Sequence, residues 1–184
     1  MAKVLVPLAQ GCEELEAVTI IDVLRRAGIQ VVSAGLDSHP VTASRGTVLI
    51  PDTTLDQALL NEYDMVVLPG GQPGTDNLDK DTRLKPLLQK MAAAHKYTAA
   101  ICAAPKVLAN AGLLHGKRAT AFPGTLEKLQ LRDVTLESAP VVRDELVITS
   151  RGPGTAMDFA LELVEVLAGK AKRVEVENGL QRPR

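Results

Sequence analysis

The sequence predicts an α/β fold, a mostly parallel sheet covered on both faces by helices. Three observations predict it. Short apolar runs of strand length alternate with segments of helical period from end to end. Glycine and proline punctuate the changes, as at Gly28, Gly35, Pro69-Gly70-Gly71 and Gly169. The 184 residues are 46% hydrophobic and 23% charged, which suits one well-filled core. The expectation is a single domain over residues 1–184, with Glu177–Arg184 as a frayed polar tail.

Val4–Ala9 reads as the first strand. Leu15, Val18, Thr19, Asp22, Val23 and Arg26 then mark a helical period closed by Gly28. Ile29–Ala34 is a second strand, ended by Gly35. Val41–Pro51 reads as a β excursion turning at Arg45-Gly46, and Thr54–Leu60 as a short helix. Met65–Leu68 is a buried strand, Leu84–His95 a helix and Thr98–Ile101 the next strand. A helix follows over Pro105–Ala111, then short strands over Lys117–Ala121, Val134–Leu136, Val141–Arg143 and Leu146–Ser150. The last helix, Thr155–Leu167, is stopped by Gly169.

Composition narrows the function. The 21 basic and 22 acidic residues nearly cancel, so no strong field steers the chain to nucleic acid or an anionic membrane. Two Tyr, two Phe and no Trp leave no stacking platform for single strands. No signal peptide or membrane-spanning run is visible. Cys12 and Cys102, with no secretory context, point to a reducing compartment, and cytoplasmic is the expected location. Neither the cysteines nor His39, His95 and His115 have metal-ligand spacing, so no metal or cofactor is expected.

The most informative turn is Tyr97-Thr-Ala-Ala-Ile-Cys-Ala-Ala-Pro105. A buried strand ending in a thiol, two alanines and a helix-starting proline together fit a nucleophile elbow. Small neighbours let the chain bend sharply and present Cys102 at the sheet edge. The helix start favours thiolate over thiol. The bland alternative is a small core hydrophobe. No histidine falls at a strand end, so no Cys–His pair is visible. The available partner is a carboxyl of the first strand end, from Glu13, Glu14 or Glu16. A carboxyl kept protonated by burial donates to a thiolate and carries a proton in catalysis. Ordinary helix-cap acids are the alternative.

Gly70-Gly71 after a strand is a tight turn whose N–H groups suit an oxyanion. Arg151-Gly152-Pro153-Gly154-Thr155 lacks the Walker lysine and reads as a strand-to-helix turn beside the pocket, with Thr155 as N-cap. Cys12 reads as an incidental, oxidisable bystander. In an open α/β sheet these strand ends gather at one edge.

Taken together, Leu8-Ala-Gln-Gly-Cys-Glu-Glu-Leu-Glu16, Arg25-Arg-Ala-Gly28, Ser44-Arg45, Tyr63-Asp-Met-Val-Val-Leu-Pro-Gly-Gly71, Ala99-Ala-Ile-Cys-Ala-Ala-Pro105 and Thr149-Ser-Arg-Gly-Pro-Gly-Thr155 resemble the ThiJ/PfpI superfamily. The branch is that of the parkinsonism-associated protein and its YajL-type bacterial relatives. The resemblance runs from about Val4 to Gly169.

It implies a flavodoxin-like three-layer sandwich and a homodimer. It makes Cys102 the nucleophile, Glu16 the protonated carboxyl beside it, and Gly70, Gly71 and Ala103 the oxyanion-binding backbone. Arg26 and Arg45 are placed at the dimer-side rim of the pocket, which Phe122 and Pro153 also line.

The implied activity is that of a cofactor-free glyoxalase and protein deglycase. Its substrates are methylglyoxal, glyoxal or their early adducts with Cys, Lys and Arg. The alternative is a redox sensor or chaperone in which Cys102 is oxidised to sulfinate. Two departures from the resemblance stand out. Phe122 occupies a position where some members carry a histidine, and Ala103 follows the cysteine where protease-like members have one, which speaks against a peptidase.

Overall fold

The computed structural model describes residues 1–182. The chain begins with β1 (Lys3–Leu8), α1 (Glu14–Arg26), β2 (Gln30–Gly35) and a hairpin of β3 (Val41–Thr42) and β4 (Val48–Leu49). It continues with β5 (Thr53–Thr54), α2 (Leu55–Ala58), β6 (Met65–Leu68), α3 (Gly74–Lys80), α4 (Leu84–Ala93), β7 (Tyr97–Ile101) and α5 (Pro105–Asn110). Then come β8 (Arg118–Ala119), β9 (Thr135–Leu136), β10 (Val141–Asp144), β11 (Val147–Ser150), α6 (Ala156–Ala168) and α7 (Lys170–Gly179).

The central sheet runs in the order β10-β11-β7-β6-β1-β2-β5, parallel except for the β10 edge. Alternation along each strand sends side chains to two separate cores. Val4, Val6, Met65, Val67, Ala99 and Ile101 face α1 and α6, while Leu5, Val66, Leu68 and Ala100 face the side of α4 and α5. On α1, Ala17, Ile20, Val23 and Leu24 recur at helical spacing and are fully buried; on α6, Phe159, Ala160, Leu163 and Val164 do the same. Burying each large side chain of this kind contributes about 1.5–3 kcal/mol. The layers therefore hold the strand ends that carry the chemistry, and the flavodoxin-like sandwich is the architecture found.

Two helices depart from the sequence expectation. In α3 Leu78 is the only large apolar residue, so no helical period is visible. α7 is polar apart from Val174 and Val176, and Gly169 (φ 87°) redirects the chain into it rather than ending the structure. Arg173 ties it to Glu162 and Glu165 of α6. Nor is the tail frayed as far as Arg182. Glu177 to Gly179 are helical, and Arg182 pairs with Asp158 and Glu177. The last two positions of that expected tail, 183 and 184, lie outside the described residues. The strand expected over Lys117–Ala121 shrinks to β8, which pairs with β9 in a small separate sheet. Among the described residues no helix is long and apolar enough to cross a membrane.

Candidate active site

Cys102 ends β7 with φ of 63°, a left-handed conformation that non-glycine residues adopt only when their surroundings impose it. The surroundings are visible. Its N–H donates to the Ser150 carbonyl at 2.9 Å, and its own carbonyl accepts from the Phe122 N–H at 2.8 Å. Ala104 is fully buried, and Pro105 opens α5. The sharp elbow read from the sequence is present, and it leaves Cys102 half-buried. α5 is only six residues long, so the polarity at the sulfur comes from nearby peptides.

Glu16 lies in the first turn of α1 and is completely buried. Its Oε2 accepts the Gly70 N–H at 2.8 Å, while Oε1 is buried without a hydrogen-bond partner. Cys102 is the side chain that interacts with this carboxyl. Gly70 allows the approach: a Cβ there would sit 2.7 Å from Cys102 Cβ and 2.9 Å from Glu16 Oε2. The acids beside Glu16 are helix-end groups with another task. Glu13 accepts from Ser44 Oγ, and Glu14 accepts from the Arg45 and Thr47 N–H groups, clamping the hairpin tip. Burial pushes the Glu14 carboxyl up, but those donors and its own N–H outweigh burial and bring it down to about 2.

Burial pushes the Glu16 carboxyl up to about 7. Burial, together with the charge of an ionised Glu16, pushes the Cys102 thiol up to about 12. Two anions at this separation are strongly disfavoured, so the couple titrates as one unit and carries a single negative charge between those limits. Within that monoanion the proton sits on oxygen or on sulfur. The Gly71 and Ala103 N–H groups pull the thiol down, against burial and Glu16, which push it up.

The cleft over Cys102 has a volume of about 760 Å³ and is lined by Ser44, Arg45, Gly71, Asp76, Ala103, Lys106, Phe122, Lys128 and Pro153, among others. Arg45, Phe122 and Pro153, expected at the pocket, are among the residues that line this cleft.

Four expectations are corrected. Gly70 is not a free oxyanion donor, because its N–H is committed to Glu16. Arg26 does not reach the cleft within this chain: it sits at the far end of α1, roughly 18 Å along the axis from Glu14, paired with Asp22. Thr155 makes no side-chain cap on α6; its Oγ1 closes a 3-10 turn onto Gly152 and meets Ser150 Oγ at 2.7 Å. Cys12 is no oxidisable bystander, being fully buried with its thiol pushed up to about 11 by burial and by Glu14.

No histidine lines the cleft; His39 and His115 are exposed beside Asp37 and Asp133. Among the described residues no cluster of His, Cys, Asp and Glu has the form of a metal site. Sequence reasoning missed Lys106 and Asp76. Lys106 is the second residue of α5, directly after the elbow, so its nearness to Cys102 in the chain was a usable signal. Asp76 had none, because its helix is not legible.

The sequence profile of the DJ-1/PfpI family matches residues 2–166. Protein dj-1beta of Drosophila melanogaster is 45% identical over 177 residues, 96% of this chain and 95% of that protein. Its crystal structure covers 100% of this chain and 99% of its own with a TM-score of 0.93. The glutathione-independent glyoxalase DJR-1.2 of Caenorhabditis elegans is 35% identical over 93% of this chain and 90% of its own length. Two Arabidopsis thaliana relatives, DJ-1 homologs B and A, are longer, and the chain spans 40% and 45% of them.

Proposed function

The chain belongs to the DJ-1/PfpI family, and on that premise we propose that it is a cofactor-independent glyoxalase and protein deglycase. The observation that carries this reading is the buried Glu16 carboxyl beside Cys102 at the floor of an open cleft. A relative that bears the name of a glutathione-independent glyoxalase supports it.

The Cys102 thiolate adds to the aldehyde carbon of methylglyoxal. The oxyanion forms against the Gly71 and Ala103 N–H groups. Glu16 protonates that oxygen, then as carboxylate takes the hydrogen from the same carbon to leave an enediolate, and returns that proton to the neighbouring carbon while the hydroxyl proton of the first oxygen passes to the second. The product is a lactoyl thioester on Cys102. Water hydrolyses it, releasing lactate and restoring thiol and acid. One methylglyoxal and one water give one lactic acid, with no external oxidant or reductant. Glyoxal gives glycolate, and early adducts on Cys, Lys or Arg give the repaired side chain. A homodimer in the cytoplasm completes the proposal. Leu15 and Val18 of α1, Val48 of β4 and Ile50 after it are exposed apolar side chains available to such an interface.

A second reading, a redox sensor or chaperone, draws on the same donors, since the Gly71 and Ala103 N–H groups would hold a sulfinate as they hold an oxyanion. Lactate formation from methylglyoxal by fully reduced protein without glutathione separates the two. Turnover by wild type, lost in Cys102→Ser and Glu16→Gln, is the expected result. Undiminished turnover in Cys102→Ser overturns the mechanism, and an inactive reduced wild type moves the weight to the sensor.

A further inference from the structure

Gly71 precedes α3 and Ala103 precedes α5, so the two donors to the Cys102 sulfur ride on different helices. α3 brings Leu78 and α5 brings Val107 and Leu108 into one core beneath both helices. At the surface above it, polar ties join the two helices as well. Lys106 Nζ donates to Asp76 Oδ1 at 2.5 Å, and Asn110 Nδ2 donates to Asp79 Oδ2 at 2.8 Å. The Lys106–Asp76 pair is the one nearer the sulfur, and both partners line the cleft.

Each partner is also coupled to a donor peptide. The Lys106 N–H donates to the Ala103 carbonyl at 3.2 Å. Next to Asp76, the Thr75 N–H donates to the Gly71 carbonyl at 2.8 Å. The path is therefore a closed ring: sulfur, Ala103, Lys106, Asp76, Thr75, Gly71 and back to sulfur.

We propose that the Lys106–Asp76 ion pair is a positioning device that clamps α3 to α5 and so holds the Gly71 and Ala103 N–H groups on the Cys102 sulfur. This rests on the reading of Cys102 as the reacting thiol. The pair is partly exposed, with side chains 24% and 42% accessible, so it adds little to global stability and its effect is read at the sulfur. The other charged groups around Cys102 are Glu16 of α1, Glu13 at the N-cap of α1, Arg45 of the hairpin and Lys128 beyond α5. Among the described residues none of these forms an ion pair joining α3 to α5.

The test is the pH dependence of Cys102 alkylation by iodoacetamide in wild type, Lys106→Met, Asp76→Asn, the double variant and Lys106→Arg, with thermal unfolding to establish that each is folded. The clamp predicts that both single variants raise the midpoint and slow alkylation at neutral pH about three- to tenfold, half to one unit in pKa. The double variant should be no slower than either single, and Lys106→Arg should restore the wild-type profile. If Lys106 acted through its charge alone, removing its counterion in Asp76→Asn would lower the midpoint. That outcome, or unchanged profiles in both single variants, overturns the clamp while leaving Cys102 as the reacting thiol. A wild-type Cys102 that alkylates no faster than a free cysteine at neutral pH overturns both.

Discussion

Gly70 is fastened to Glu16 through its N–H, which donates to Oε2 at 2.8 Å, and the adjoining link completes the tie: the Gly70 carbonyl accepts from the Glu13 N–H at 2.9 Å. The strand end of β6 and the first turn of α1 are thereby held as one unit. The buried carboxyl cannot turn away from Cys102 without giving up its one backbone donor, and an unpartnered buried carboxyl oxygen costs about 1–3 kcal/mol or more.

A methyl group at Gly70 has no room. Its Cβ would stand 2.7 Å from Cys102 Cβ and 2.9 Å from both Glu16 Oε2 and the Ile101 carbonyl, two of which are backbone or near-backbone atoms that cannot swing aside. Gly70→Ala should therefore lose about 1–3 kcal/mol of stability, in line with overpacking of a tight interior. Its lactate turnover should fall more than its stability does. Urea unfolding beside turnover checks both, and a wild-type rate in this variant would show that the Glu16–Cys102 contact tolerates displacement.

In the proposed mechanism the couple's single negative charge rests on sulfur, appearing as the first proton leaves near pH 7 and persisting until the second leaves near 12. Alkylation of wild-type Cys102 should rise through about pH 7 and then hold a plateau. In Glu16→Gln the acid that faces the thiolate in that mechanism is gone, and the thiol titrates alone in a buried site. The midpoint should move up, slowing the reaction at pH 7 about tenfold for each unit moved. An unchanged midpoint would separate Glu16 from the ionisation of Cys102.

Much of this site is legible in the sequence because its makers are local. The elbow is written in consecutive residues, with Cys102 between a buried strand and two alanines. Strands such as β6 show as unbroken apolar runs. Glu16 is harder, since α1 opens with three acids and only the third faces inward; the choice needs the burial that folding supplies. The sequence makes Gly70 look like an oxyanion donor because exposed and committed N–H groups look alike in a sequence. α3 and α7 escaped for a shared reason. Each buries one large apolar side chain, Leu78 in α3 and Val176 in α7, and a single residue leaves no apolar period. Arg26 marks a different limit: its contact with the cleft, implied by resemblance, is not made within one chain.

The raised Glu16 carboxyl also makes stability depend on pH. The unfolded carboxyl ionises near 4.5, whereas in the fold the couple it forms with Cys102 keeps its first proton to about 7. Between these values the folded state binds the extra proton, so the contribution is complete below 4.5 and is lost as pH rises through 7. The loss is on the order of 3 kcal/mol. Glu16→Gln keeps the shape and an acceptor for the Gly70 N–H but has nothing to ionise. It should become steadily more stable relative to wild type from pH 5 to pH 8 in urea unfolding. A constant difference across that window would place the ionisation of Glu16 at its unfolded value.

Phe122 offers the last prediction, because it stands half exposed at the cleft on the loop whose N–H holds the Cys102 carbonyl. Its ring moves no proton, so in the proposed mechanism Glu16 serves both the oxygen and the carbon in turn. A histidine there would add a second carrier titrating near 6.5 without disturbing the backbone link. Positioned acid–base groups contribute about 10²–10⁴-fold; one introduced into a half-exposed, unprepared site should give less, about tenfold in kcat. The gain should appear as a new limb in the pH profile near neutrality, with KM for methylglyoxal little changed. Phe122→Asn controls for polarity and loss of the ring and should show no such limb. If Phe122→His gives no gain at any pH, proton transfer by Glu16 is not what limits turnover, and hydrolysis of the thioester becomes the slow step to follow.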